Sequence, residues 1–242
     1  MIRTKLGLLG LCAVVVGMMA MSAGAAQGAV SWLVLNAAKT VSTNLKAELT
    51  GKVDTEHLEL VGEVVGLPIV VTCTNFTLNG VSLEVPDALT TGGKVVFTGC
   101  KVYKEKLLKN EYLCTVKSAG AAVGTVESGK GKGLVELVGS EILTKVEPES
   151  GPTGAFATIR FEGKECPLPE SNVVHGTLYI KDCENMATLH LLEHLIEAEP
   201  VNTKLYVGGH SLKQLEITKI LGSAFILLKG AHAGLDWGVL DA

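Results

Sequence analysis

The residues best spaced for chemistry are His190, Glu193 and His194, in the run His190-Leu191-Leu192-Glu193-His194. This is the H-x-x-E-H order of inverted zinc metallopeptidases. On a helix, residues four apart share a face. The two imidazoles would then grip one zinc ion, and Glu193 would take a proton from a bound water. The context is poor for that chemistry. Only 48 residues follow His194, and Glu197, Glu199 and Glu216 are the only glutamates among them available as a third acidic ligand. The expected metal site is therefore none, with His190, Glu193 and His194 the one place where a metal-dependent hydrolase would have to be built.

Three other stretches fall short in different ways. Gly124 to Gly131 (GTVESGKG) approaches a phosphate-binding loop, but Gly131 stands where a Ser or Thr must meet Mg²⁺. The C-terminal run GAHAGLDWG places His232 and Asp236 close together beside Trp237, yet no Gly-x-Ser-x-Gly elbow supplies a nucleophile. Its glycines read as turns, with Trp237 folded back over the end of a barrel or sandwich. The insert Lys101 to Tyr112 carries Lys101, Lys104, Lys106 and Lys109 beside two tyrosines. A solvated loop explains it, and an anionic cell-wall polymer or lipid headgroups are what it would suit; for the module as a whole the expected partner is a cell-envelope polymer or another surface protein. Asn75-Phe76-Thr77 is a glycosylation sequon too short to carry weight. No catalytic or cofactor-binding residue is assigned, and no cofactor is expected.

The elements that must position these residues are strands. The composition has 28 Gly, few aromatics (5%) and an apolar mass of Val, Leu, Ile and Ala. Short apolar runs separated by turn residues suit an all-β, mainly antiparallel fold, a β-sandwich or β-barrel. Two β subdomains with a break near 148–154 (PESGPTG) are compatible with it. Leu45 to Leu60 alternates in part and suits a hairpin with one solvated face, Val61 to Cys73 reads as buried on both sides, and Leu134 to Val146 suggests a hairpin across Ser140. Asn79-Gly80 is the strongest two-residue hairpin signal. Helix and strand compete over 184–199, the one place for a short helix.

The N-terminus predicts export. Arg3 and Lys5 precede the apolar run Leu6 to Met21, and small residues follow at Ala23-Gly24-Ala25. That is a secretory signal pattern, and its run of roughly 16 residues is shorter than the ~20 of a spanning helix. Residues 1–25 are read as a cleaved signal peptide, 26–44 as an N-terminal arm and 45–242 as the β-rich domain. No transmembrane segment is expected after cleavage. The formal charge of −4, without a basic stripe, excludes a typical nucleic-acid binder.

Beyond the leader the cysteines are Cys73, Cys100, Cys114, Cys166 and Cys183. No C-x(2–4)-C pair suggests zinc, and a secreted context favours disulfides. An odd number cannot all pair within one chain, and the spacing leaves the connectivity open. Closure of local loops favours Cys100–Cys114 and Cys166–Cys183, with Cys73 as the buried free thiol.

The segments IVVTC (69–73), KVVFTGC (94–100), CTVKSAGAAVGTV (114–126), AFATIRFEGKEC (155–166) and GSAFILLKGAHAGLDWG (222–238) resemble a group of uncharacterised secreted proteins of actinobacteria. The resemblance implies an exported, β-rich architecture and carries over no catalytic residue. The sequence thus points to an exported module, structural or binding at the cell surface. Its alternatives are a barrel for a small apolar ligand or carbohydrate, and a hydrolase through 190–194.

Overall fold

The computed structural model describes residues 30–42, 44–105, 107–183, 191–208 and 216–240. The leader and His190 lie outside them. In chain order the strands are β1 (Ser31–Val34), β2 (Leu45–Val53), β3 (Leu58–Val64), β4 (Leu67–Cys73), β5 (Asn75–Asn79), β6 (Ser82–Val85) and β7 (Leu89–Thr91). Next come β8 (Lys94–Thr98), β9 (Lys101–Tyr103), β10 (Thr115–Lys117), β11 (Val126–Glu127), β12 (Gly131–Val138), β13 (Glu141–Pro148) and β14 (Ala155–Glu162). The last are β15 (Ser171–Asp182), β16 (Glu193–Ala198), β17 (Lys204–Gly208), β18 (Glu216–Leu221), β19 (Ser223–Leu228) and β20 (Trp237–Leu240). The protein is all-β and antiparallel, as its composition predicts.

Alternation sets the faces. Along β2, Ala47 and Leu49 are buried while Lys46, Glu48 and Lys52 face solvent. Such strands need a shared core, and eight of them close on themselves in the order β13-β12-β7-β6-β2-β19-β16-β15, with β15 returning to β13. A second sheet runs β10-β14-β15-β17-β18-β3-β4-β9. The 12-residue β15 belongs to both: its N-terminal half pairs with β14 and β17, and its C-terminal half with β13 and β16. Gly176 sits at this changeover with φ +119°, where a Cβ would lie 1.9 Å from the Lys204 carbonyl oxygen. Only glycine fits there.

Strands β5, β8 and β11 form a small third sheet. Phe76 of β5 lies over Gly51 of β2, where a Cβ would come within 2.5 Å of the ring. The Asn79-Gly80 turn is real, with Gly80 at φ +73°, but it does not make a hairpin. β5 pairs with β8, while β6 pairs with β2 and β7. The turn carries the chain from one sheet to another, because Phe76 and Leu83 both bury into the barrel core from different sheets. The β12–β13 hairpin and the buried Ile69 to Cys73 of β4 match the sequence reading, whereas Leu45 to Leu60 is no hairpin, since β2 pairs with β6 and β19 and β3 with β4 and β18.

The segment expected to be an N-terminal arm is instead docked. β1 pairs with β20, placing Val34 opposite Trp237 and Trp32 opposite Val239. Residues two apart on a strand share a face, so these four point together into the barrel core. The ribbon crosses one end of the barrel. The Trp32 backbone N–H donates to the Asp87 carbonyl after β6, and the Trp237 backbone N–H donates to the Leu191 carbonyl before β16.

The disulfides correct the expected pairing. Cys73 joins Cys100, and Cys114 joins Cys166, with Cα separations of 4.1 and 4.9 Å. Cys183 is in neither bridge and is exposed. Sheet register explains the difference: Thr72 pairs with Lys101 and Thr115 with Glu162. Long-range strand pairing therefore brought the partners together, and proximity in sequence did not.

Glu199 secures the turn from β16 to β17. Its carboxylate accepts hydrogen bonds from the Val201 and Asn202 backbone N–H groups at 2.7 Å each, and from the Asn202 side chain at 3.0 Å. Burial pushes its pKa up, but these donors outweigh burial and hold it below the ordinary 4.5. A depressed folded-state pKa gives stability that is present above the unfolded value and lost as pH falls through the folded one. Glu199→Gln is expected to flatten the loss of stability below pH 4.5, read as urea midpoints across the acid range. An acid limb identical to wild type would show that other carboxylates set it.

Candidate functional site

The described part of 184–199 is strand, with no helix. Glu193 and His194 are neighbours on β16, so their side chains leave opposite faces of the sheet. Glu193 reaches outward to Lys52 at 3.3 Å. His194 is fully buried. Its Nε2 donates to the Trp237 carbonyl at 2.9 Å, and its Nδ1 shares a hydrogen bond with the buried Asp182 carboxyl. Both ring nitrogens are occupied, so His194 has no lone pair for a metal and cannot act with Glu193 on one water. Among the described residues no group of three His, Cys, Asp or Glu is placed to hold a metal ion.

What His194 does is structural. A carbonyl only accepts, so Nε2 must carry hydrogen, and Nδ1 and Asp182 then share one further proton. The pair is charge-balanced inside the wall. The imidazole also meets the Trp237 ring edge-on, centroids 4.2 Å apart, which holds that indole in place.

The other stretches sort as follows. Gly124 to Gly131 leads through β11 into β12 with no helix to receive a phosphate. In the insert, Lys101 pairs with Glu111 at 3.3 Å, and Lys104 lies 5.3 Å from the Tyr112 ring centroid. Tyr112 is itself buried and donates its hydroxyl to the Pro68 carbonyl. Lys106 lies outside the described residues. His232 ends a short 3₁₀ turn, Gly230–His232, and is partly exposed. The buried Asp236 holds Lys39 at 2.6 Å. Trp237 does fold over the barrel end.

The feature that no residue was assigned to beforehand is a cavity of about 360 Å³. An eight-stranded barrel has an interior that side chains just fill, or that holds one small ligand. Here Thr90, Gly133, Thr144, Ala198 and Ala224 border the space where larger side chains would close it. Apart from Thr91, Ser128 and further glycines, the remaining wall is mainly aliphatic and aromatic, with Leu49, Leu83, Ile180, Ile196 and Ile226 from the barrel, Phe76 and Phe97 from the small sheet, and Val71, Ile159 and Leu205 from the second sheet. The cavity extends from the Trp32–Trp237 pair to Cys73 of the first disulfide. Its charged neighbours, Glu59, Lys132 and Glu197, are all at least partly exposed, which places charge at the margin and leaves the interior apolar. The sequence signal was the run of small residues at inward positions, legible only once the register is known.

Comparison with protein-family models, with curated proteins and with solved structures finds no match.

Proposed function

We propose that this chain is an exported β-barrel module that binds a small apolar ligand within the barrel. The cavity carries the reading. Its volume falls within the roughly 300–1,000 Å³ of ligand pockets. The apolar wall disfavours a carbohydrate, whose hydroxyls would be buried without partners. Two disulfides and a leader-like N-terminus support export.

The test is titration with N-phenylnaphthylamine, a neutral apolar dye that brightens in a dry site. The chain has two Trp, and both border the cavity, so energy transfer from them reports the location of the dye. Saturable one-site uptake with strong transfer is expected. Ala224→Leu and Ala198→Leu, which fill the space, are each expected to weaken it about tenfold, the effect of adding bulk worth about 1.4 kcal/mol, with thermal stability kept or raised. Absence of saturable uptake by the wild-type protein would sink the reading.

A further inference from the structure

Two runs of chain carry the cavity from one sheet to the other. Along β15, Val174, Leu178 and Ile180 line it, and positions two apart on a strand share a face. Val174 pairs within the second sheet, with Ala157 and Val207, whereas Leu178 and Ile180 pair within the barrel, with Val146 and Thr144. β18 and β19 repeat this arrangement. Only Gly222 separates them, and Ile220, Gly222, Ala224 and Ile226 line the cavity at every second residue. Ile220 belongs to the second sheet through Leu60, and Ala224 to the barrel through Ile196. Both changeovers fall at a glycine of positive φ, Gly176 at +119° and Gly222 at +102°. A Cβ at Gly222 would lie 2.9 Å from the His57 carbonyl oxygen, so this bend needs glycine as the one in β15 does. The two runs are parallel, with β16 between them in the barrel and β17 between them in the second sheet. The cavity thus has a long axis, laid along both runs and across the seam between the sheets.

We propose that the ligand is a single long, unbranched hydrocarbon chain, held extended along β15 and the β18–β19 run. This rests on the cavity being a ligand site. Each run lines it over six residue steps, which at about 3.3 Å per step is about 20 Å. A volume of about 360 Å³ over that length leaves a mean cross-section of roughly 18 Å². That is the width of one packed hydrocarbon chain; a fused-ring body or a chain doubled back on itself is broader. Carbon–carbon bonds of about 1.5 Å advance about 1.25 Å each along a zigzag, so the length suits about sixteen carbons.

The experiment uses the folded, oxidised protein and displaces N-phenylnaphthylamine with straight-chain primary alcohols from octanol to octadecanol, and with cholesterol. Each added methylene is expected to strengthen competition about fourfold, the worth of burying one, with the gain ending near sixteen carbons. Cholesterol is expected to compete at least tenfold less well than hexadecanol. Ala157 borders the cavity at its second-sheet end, opposite Val174. Ala157→Leu is expected to keep dye and octanol binding while ending the gain several carbons earlier. If the dye binds but the gain stops by decanol, or cholesterol matches hexadecanol, the extended chain is overturned and the apolar site stands. Equal weakening of octanol and hexadecanol by Ala157→Leu would overturn it too, since the two ends would then be one compact space. Failure of the dye to bind at all would remove the site and this inference with it.

Discussion

Replacing His194 with alanine is expected to lower the free energy of unfolding by about 3–5 kcal/mol, the cost of breaking a buried ion pair from one side. The side chains of His194 and Asp182 are 0% and 1% exposed, so water cannot take over either partner's role. The variant would leave the Asp182 charge inside the wall and the Trp237 carbonyl without its donor. Replacing both His194 and Asp182 with leucine is expected to recover much of the loss, since well-packed apolar residues often match a buried pair. Urea unfolding followed by tryptophan emission measures both. A single-variant loss under about 1 kcal/mol, the worth of an exposed pair, would mean that the pair is wet.

Loss of the two disulfides is the second large effect. They close loops of 27 and 52 residues in sequence separation, and chain entropy assigns each about 4 kcal/mol. Their position sharpens the expectation. The barrel closes through a continuous hydrogen-bonded ring, whereas the second sheet ends in two short edge strands, β9 and β10. Cys100 leads into β9, which pairs with β4, and Cys114 leads into β10, which pairs with β14, so each bridge fastens a short edge strand to the neighbour it pairs with. Reduction should strip hydrogen-exchange protection from β4, β9, β10 and β14 before β2, β6 and β19, and should lower the urea midpoint. An unchanged midpoint on reduction would show that the apolar cluster around Ile69, Val102 and Phe161 holds the sheet unaided.

Much of the fold was legible in local pattern. The alternation of β2, the buried run in β4 and the β12–β13 hairpin each follow from side-chain period and turn chemistry. What was hidden depends on partners far apart in sequence. Cys73 and Cys100 meet because β4 pairs with β9, and no count of intervening residues reveals that. Asn79-Gly80 gave the turn correctly but could not say that the next strand joins a different sheet. His194 looked like half of a zinc grip because its spacing to His190 suits a helix. On a strand the same spacing puts Glu193 outside and His194 within. Ala198, Gly133 and Ala224 are unremarkable until the register aligns them around one space, since a one-residue slip would turn each outward.

The pairing of β1 with β20, β2 with β19 and β3 with β18 nests the first strands inside the last. A chain emerging from its N-terminus cannot complete any of these ladders until Glu216–Leu240 has been made. Assembly dominated by such distant contacts is slow, and these three ladders stay open until Glu216–Leu240 has been made. The strands carrying Ala224 and Trp237 are made after the other strands that line the cavity, so its wall is completed only when they have paired.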